Sequence, residues 1–525
     1  MKKTYSIFIF CFLLLLGACV REPQNNFSNP VISSDMADPT IINVNGIYYA
    51  SGTSSEWAPF YPVFSSEDLI NWKQTGYVFS SKPEWTSHSF WAPELYHHKN
   101  GKIYCYYTAR RKGDGISFIG VAVADNPTEE FTDHGLLVEF GREAIDAFVF
   151  EDEGQLYITW KAYGLDDRPI ELLCSRLSDN GLHLEGEPFS MLVDDLNIGL
   201  EGQYHFKKDN YYYIIFSARG CCGFRSNYEV HAARSLNLKG PYEKYENNPI
   251  LHGGEGDFIS CGHGTAVETP DGRMFYLCHA YLKGAGFYGG RQPILQEMFV
   301  GDDEWVHFRT GNVARIEQPM PFAGAVQYEN LDFEDNFVEG KLKVDWTWNY
   351  PYANVKAEIK SNKLSLSTMP EESNNTDAAA LCVRPKTPDY AYETLLAADK
   401  KESFKGLTLY GDDKNFVAWG NQESKLVLKS VKNEKETTLF EQEYNAEQLH
   451  LKIDVTEGCM LQFFWSEDGK NWRNAENTNL NTAFLVRWDR VARPGIMHFG
   501  EIDSPGEFSF FKLKNKANAS AEKTE

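Results

Sequence analysis

Short apolar runs broken by turn dipeptides, not helical periodicity, organise most of this 525-residue chain. Five segments repeat one order: an apolar run, a turn pair, then a strand dense in aromatics. They run from Asp38 to Asn45-Gly46 and Tyr48-Tyr49, from Trp91 to Asn100-Gly101 and Ile103-Tyr104, and from Ile145 to Glu153-Gly154 and Leu156-Tyr157. The last two run from Leu200 to Asp209-Asn210 and Tyr211-Tyr212-Tyr213, and from Gly262 to Asp271-Gly272 and Phe275-Tyr276. Asn-Gly and Asp-Gly favour two-residue hairpins because both central residues of the turn need positive φ. Taking Asp38, Pro93, Asp146, Glu201 and Gly264 as anchors, the steps are 55, 53, 55 and 63 residues, room for about four short strands each. The pattern predicts an all-β fold with a five-bladed β-propeller over residues 27–325. A seven-bladed WD-type repeat is disfavoured by the longer period and the missing Gly-His and Trp-Asp ends. After the Pro- and Gly-bearing connector Gln318 to Gly324, alternation in Asn362 to Ser367 and Leu449 to Ile453 predicts a β-sandwich over 330–515, then a tail, 516–525.

The N-terminus stands outside this pattern. Lys2-Lys3 and the apolar run Ile7 to Leu16 read as a secretory signal, too short to span a bilayer. Leu16-Gly17-Ala18-Cys19 looks like a bacterial lipobox. Residues 1–18 would then be removed, Cys19 would carry the lipid, and 19–26 would form a polar tether. The tether lacks the acidic run that resembles a surface-export signal, so the periplasmic side of the cell envelope is favoured.

A net charge of −23 argues against a nucleic-acid partner. An aromatic content of 14% suits a neutral polar ligand such as sugar, since rings offer flat apolar faces and carboxylates accept hydroxyl hydrogen bonds. Of the ten cysteines none forms a C-x-x-C pair, which leaves a zinc or redox reading without support. Most read as small buried hydrophobes, and adjacent Cys221-Cys222 as loop thiols in preference to a vicinal disulfide.

Equivalent positions in a propeller meet at one mouth of its channel, and three of the five anchors are acids: Asp38, Asp146 and Glu201. A packed channel wall excludes unpaired carboxylates, because burying their charge is costly. Crowded together, they push one another's pKa apart, as glycoside hydrolysis requires of an acid and a base. The motifs Ala37-Asp38-Pro39-Thr40, Trp91-Ala92-Pro93-Glu94, Ile145-Asp146, Glu201-Gly202 and Gly262-His263-Gly264 resemble glycoside hydrolase family 43 along the whole propeller. That resemblance implies Asp38 as general base, Glu201 as general acid, Asp146 as the carboxylate that tunes and orients the acid, and inversion at the anomeric carbon. It departs at Ala147 and Gln203, where the family commonly has Pro.

The resemblance also implies that Arg291, in Gly289-Gly290-Arg291-Gln292-Pro293, approaches the sugar near the acid. His263 is either a polar group of the channel or a neighbour of a structural calcium; no cofactor is required. Trp91 is a candidate subsite wall, and Trp57 either a second wall or plain core. The sandwich resembles a domain that lends a loop to an exo-acting pocket. The expected activity is release of terminal α-L-arabinofuranosyl residues from hemicellulose such as xyloglucan or arabinoxylan, with β-xylosidase as the alternative. A glycan-binding lipoprotein without catalysis is the competing class.

Overall fold

The computed structural model describes residues 25–163, 168–328, 331–350, 355–368, 378–500 and 503–516. The lipobox and most of the tether and tail lie outside them. Five strands form the centre of the first domain: β1 (Thr40–Val44), β2 (Trp91–His97), β3 (Glu143–Asp152), β4 (Glu201–Lys208) and β5 (Phe258–Glu268). Each pairs antiparallel with the strand after its turn, namely Ile47–Ser51, Ile103–Arg110, Gln155–Tyr163, Tyr211–Ala218 and Met274–Leu282. Further strands widen each group outward. Among the described residues the inner strands touch in a closed ring, β1 to β2, β2 to β3, β3 to β4, β4 to β5 and β5 to β1. This is the plan of a β-propeller. Second strands such as Ile103–Arg110 are packed on both faces, which explains their unbroken apolar runs. Strand Asn26–Ser28 pairs with Glu317–Pro319 and ties the start of the domain to its end.

One residue at the mouth end of each group takes the left-handed conformation: Asp38, Ala92, Asp146, Gly202 and His263, with φ of 53°, 39°, 59°, 59° and 47°. The ladder register shifts across this point in β2, β3, β4 and β5. An extra residue at a bulge re-aims the side chains around it. The sequence spacing therefore misaligned three anchors by one residue. Ala92, Gly202 and His263, not Pro93, Glu201 and Gly264, stand in register with Asp38 and Asp146. Gly202 is required twice over, since its φ is positive and a Cβ there would lie 2.6 Å from the His263 ring.

A ring of hydrogen bonds fixes these residues. The second strand of each group, or the loop just after it, caps a backbone N–H of the next group. Ala92 donates to Thr53 Oγ1 (2.9 Å), Asp146 to Thr108 Oγ1 (3.2 Å), His263 to Ser217 Oγ (2.7 Å) and Asp38 to His279 Nδ1 (3.0 Å). The exception is Gly202, whose N–H donates to Asp146 Oδ2 at 3.1 Å. That substitution seats the Asp146 carboxylate against the backbone that carries Glu201.

The second domain stacks two antiparallel sheets around Trp346, Trp419, Leu451, Ile453 and Phe511. Strand Gln448–Thr456 alternates buried and partly exposed residues, as one inner and one outer face require. The domains are stitched by backbone pairing of Ala58 with Trp348 and by Trp57. Trp57 is 2% exposed and packs in a cluster made mostly of sandwich residues, with the Arg493 guanidinium 4.3 Å from its ring and Tyr410 edge-on at 5.8 Å. It is interdomain core and not a wall of a sugar subsite, because the sandwich covers the face a sugar would need.

Candidate active site

Their left-handed backbone turns Asp38, Asp146 and His263 toward one another. His263 Nδ1 lies 3.4 Å from Asp38 Oδ1 and 3.8 Å from Asp146 Oδ2. Glu201, one residue before its bulge, joins Asp146 through the Gly202 amide. The three acids expected from sequence thus meet at one place, with His263 between two of them.

Their surroundings differ. Asp38 Oδ2 accepts the Thr53 hydroxyl at 2.6 Å, while Oδ1 lies 3.5 Å from Arg291 Nη1 and 3.3 Å from His279 Nδ1. Burial opposes its charge, yet Arg291, then His263, hold its carboxyl far below the usual range. Asp38 is therefore ionised. His279 is neutral, its pKa pushed down by burial to about 4 despite Asp38, and its ring stacks on Tyr228.

Glu201 accepts hydrogen bonds from Lys161 Nζ at 2.8 Å on Oε2 and from the Tyr228 hydroxyl at 2.9 Å on Oε1. Burial raises its pKa, but Lys161, Tyr228 and His263 outweigh that and lower it. Among the described residues Asp146 has no lysine or arginine in contact, only His263 at 3.8 Å. Burial carries it up to about 6, with His263 opposing and Glu201 reinforcing the rise. In the free protein the proton is held more readily by Asp146 than by Glu201. A carboxylate held ionised next to one that protonates near neutrality is a pair able to trade a proton.

Arg291 stands at Asp38 and not at Glu201, the reverse of the expected placement. The Asp35 carboxylate accepts its backbone N–H at 2.9 Å, and its Nη2 donates to the Asp489 carbonyl at 2.8 Å. Asp489 belongs to the sandwich segment that leads into strand Arg493–Phe499. The same segment carries Trp488, which is 59% exposed, meets Trp91 edge-on at 6.0 Å, and crosses Gly223 so closely that a Cβ there would lie 3.3 Å from its Cα. Sequence reading singled out neither Trp488 nor Lys161.

Cys221 and Cys222 form a disulfide, which corrects the reading as loop thiols. The turn that holds them is pinned by Ser226 Oγ on the Cys221 carbonyl (2.9 Å) and by the Gly223 N–H on the Tyr281 hydroxyl (3.0 Å). Cys222 Sγ lies 3.5 Å from Arg291 Nη1, so the partly exposed disulfide flanks the Asp38 side of the site. The other described cysteines are buried and unpaired.

Calcium takes six to eight oxygen ligands. His263 brings one nitrogen, the carboxylates beside it are already engaged, and the described residues contain no group of three or more His, Cys, Asp or Glu side chains placed to hold a metal. These side chains do not by themselves form a calcium cage, and no step below runs through a metal.

Comparison with known proteins agrees with this geometry. The profile of Glycosyl hydrolases family 43 matches residues 27–306, and that of the Beta xylosidase C-terminal Concanavalin A-like domain matches 334–491. A xylan 1,3-beta-xylosidase of a Vibrio species is 26% identical over 65% of this chain and 67% of its own. A non-reducing end alpha-L-arabinofuranosidase of Bacteroides ovatus is 27% identical over 64% of each chain. A solved family 43 protein of Bacillus licheniformis shares the fold over 94% of this chain and 100% of its own, with a TM-score of 0.81 and 23% identity.

Proposed function

The chain belongs to glycosyl hydrolases family 43, and from that membership and its carboxylates we propose that it is an exo-acting, inverting α-L-arabinofuranosidase trimming hemicellulose side chains. The observation that carries the proposal is the asymmetry of the two walls. Asp38, locked ionised by Arg291, deprotonates a water; Glu201, coupled to Asp146, protonates the leaving oxygen; Asp146 tunes and orients it. His263 spaces the carboxylates. Trp488, set beside Trp91 at the site by the sandwich, closes one end and favours removal of a single terminal sugar. Aromatic faces pack on the C–H surface of a sugar ring.

A β-xylosidase is the second reading, favoured by the sandwich, whose matching profile is that of a xylosidase C-terminal domain. The two sugars present similar hydroxyl geometry. Hydrolysis of 4-nitrophenyl α-L-arabinofuranoside beside 4-nitrophenyl β-D-xyloside separates them, and loss of turnover in Asp38→Asn ties the activity to this site. Early NMR spectra of the first-formed anomer test inversion. A binding protein would turn over neither substrate. The lipobox at Leu16 to Cys19 supports a lipid-anchored enzyme on the periplasmic side of the envelope, which palmitate labelling of wild type against Cys19→Ala tests.

A further inference from the structure

A general acid pressed against a lysine is a poor proton donor, because the cation stabilises the ionised form. Lys161 lies in strand Gln155–Tyr163, with its side chain 12% exposed. Its Nζ reaches Glu201 Oε2 at 2.8 Å and, on the other side, Glu143 Oε1 at 3.5 Å. Burial works against its charge, but Glu201, Glu143 and Asp146 outweigh this and keep it protonated. The groups facing the Lys161–Glu201 contact are Glu143 and Asp146 from β3, His263 from β5, and Tyr228. Tyr228 stays protonated and donates to Glu201. Glu143 opens β3, and its side chain is the most exposed of the three acids around Lys161, which leaves it free to follow the lysine.

We propose that Lys161 is a positioning residue with two seats, resting on Glu201 in the free enzyme and moving onto Glu143 when a sugar enters, so that Glu201 takes up a proton only in the complex. The inference rests on the assignment of Glu201 as the acid. On turnover the glycosidic C–O bond breaks and the oxygen leaves with the Glu201 proton. The water oxygen bonds to the anomeric carbon, its proton passes to Asp38, and both carboxyls then exchange with solvent. Glu143, already 3.5 Å from the ammonium, serves as the second seat: without it the lysine has nowhere to go.

The test uses phenyl α-L-arabinofuranoside, or phenyl β-D-xyloside if that sugar is preferred, because phenoxide needs protonation to leave. The pH profile of kcat/KM reports the free enzyme and that of kcat the complex. In wild type the basic limb of kcat lies at higher pH than that of kcat/KM. In Glu143→Gln the kcat limb falls by about one pH unit and the two limbs converge. In Lys161→Met both limbs rise by about one unit or more, and Lys161→Arg restores the wild-type order. A uniform electrostatic effect of Glu143 would move both limbs of Glu143→Gln together, which overturns the proposal. So do unchanged limbs with only lower rates, the signature of a structural role. If Lys161→Met does not fold, Glu143→Gln decides alone. Glu201→Gln separates the two levels of inference: a basic limb that survives in it removes Glu201 as the acid, whatever Lys161 does.

Discussion

The Asp38 wall and the Glu201 wall of the site are built from the same repeated unit, and each holds its carboxylate ionised in the free protein by a different kind of cation. At Asp38 the cation is Arg291, a planar group fixed by Asp489 of the other domain and permanently charged. At Glu201 the cation is Lys161, flexible and shared among three carboxylates. A fixed guanidinium keeps one carboxylate ionised until it takes the proton of the attacking water, while a shared ammonium lets another take up a proton before the bond breaks. The difference between base and acid is thus written in the neighbours and not in the carboxylates themselves.

Removing a wall should have the largest effect. Asp38→Asn loses the base, and kcat should fall about 1,000-fold or more in steady-state assays, with substrate affinity kept. Arg291→Met leaves Asp38 without its strongest stabilising charge. Its pKa then rises and the acidic limb of kcat/KM moves to higher pH by about one unit or more. A limb that stays in place would mean that His263 and the Thr53 hydroxyl suffice.

The Asp146 side makes a prediction about stability. Its folded pKa of about 6 lies above the ordinary carboxylate value, so the folded state binds the proton more tightly than the unfolded one. Its contribution is present below about pH 4 and is lost as pH rises through 6, whereas that of Asp38, with its depressed pKa, is lost as pH falls below about 4. Urea unfolding at pH 4.5 and 7 should show Asp146→Asn gaining on wild type by roughly 2 kcal/mol between the two. An equal difference at both pH values would place the proton elsewhere.

Smaller effects are expected at the rim. Trp488→Ala should raise KM about tenfold with little change in kcat, since it removes ring contact and no proton chemistry. Opening the disulfide with Cys221→Ser and Cys222→Ser together should change kcat/KM about threefold, through the packing of Arg291.

The repeat and its acids were legible because hairpin turns carry glycine, and apolar and polar residues alternate wherever one face of a strand is buried. The register of the site was not. A bulge adds one residue without a sequence mark, so Glu201 looked like the equal of Asp38 when Gly202 is. Trp57 was ambiguous because nothing local reveals that a second domain will cover it. Lys161 sits in the apolar run Leu156 to Tyr163, where its partners, Glu143 across the strand pair and Glu201 on the next inner strand, become visible only once the chain folds. Arg291 was found by motif and placed at the wrong acid, since its direction is set by Asp489, far along the chain.

The division of labour between the walls is tested most directly by Glu201→Gln on two leaving groups of the preferred sugar. With the phenyl glycoside, activity should fall by about three orders of magnitude, while with the 2,4-dinitrophenyl glycoside, whose anion leaves unaided, it should fall less than tenfold. Equal losses on both substrates would contradict the account and move the acid away from Glu201.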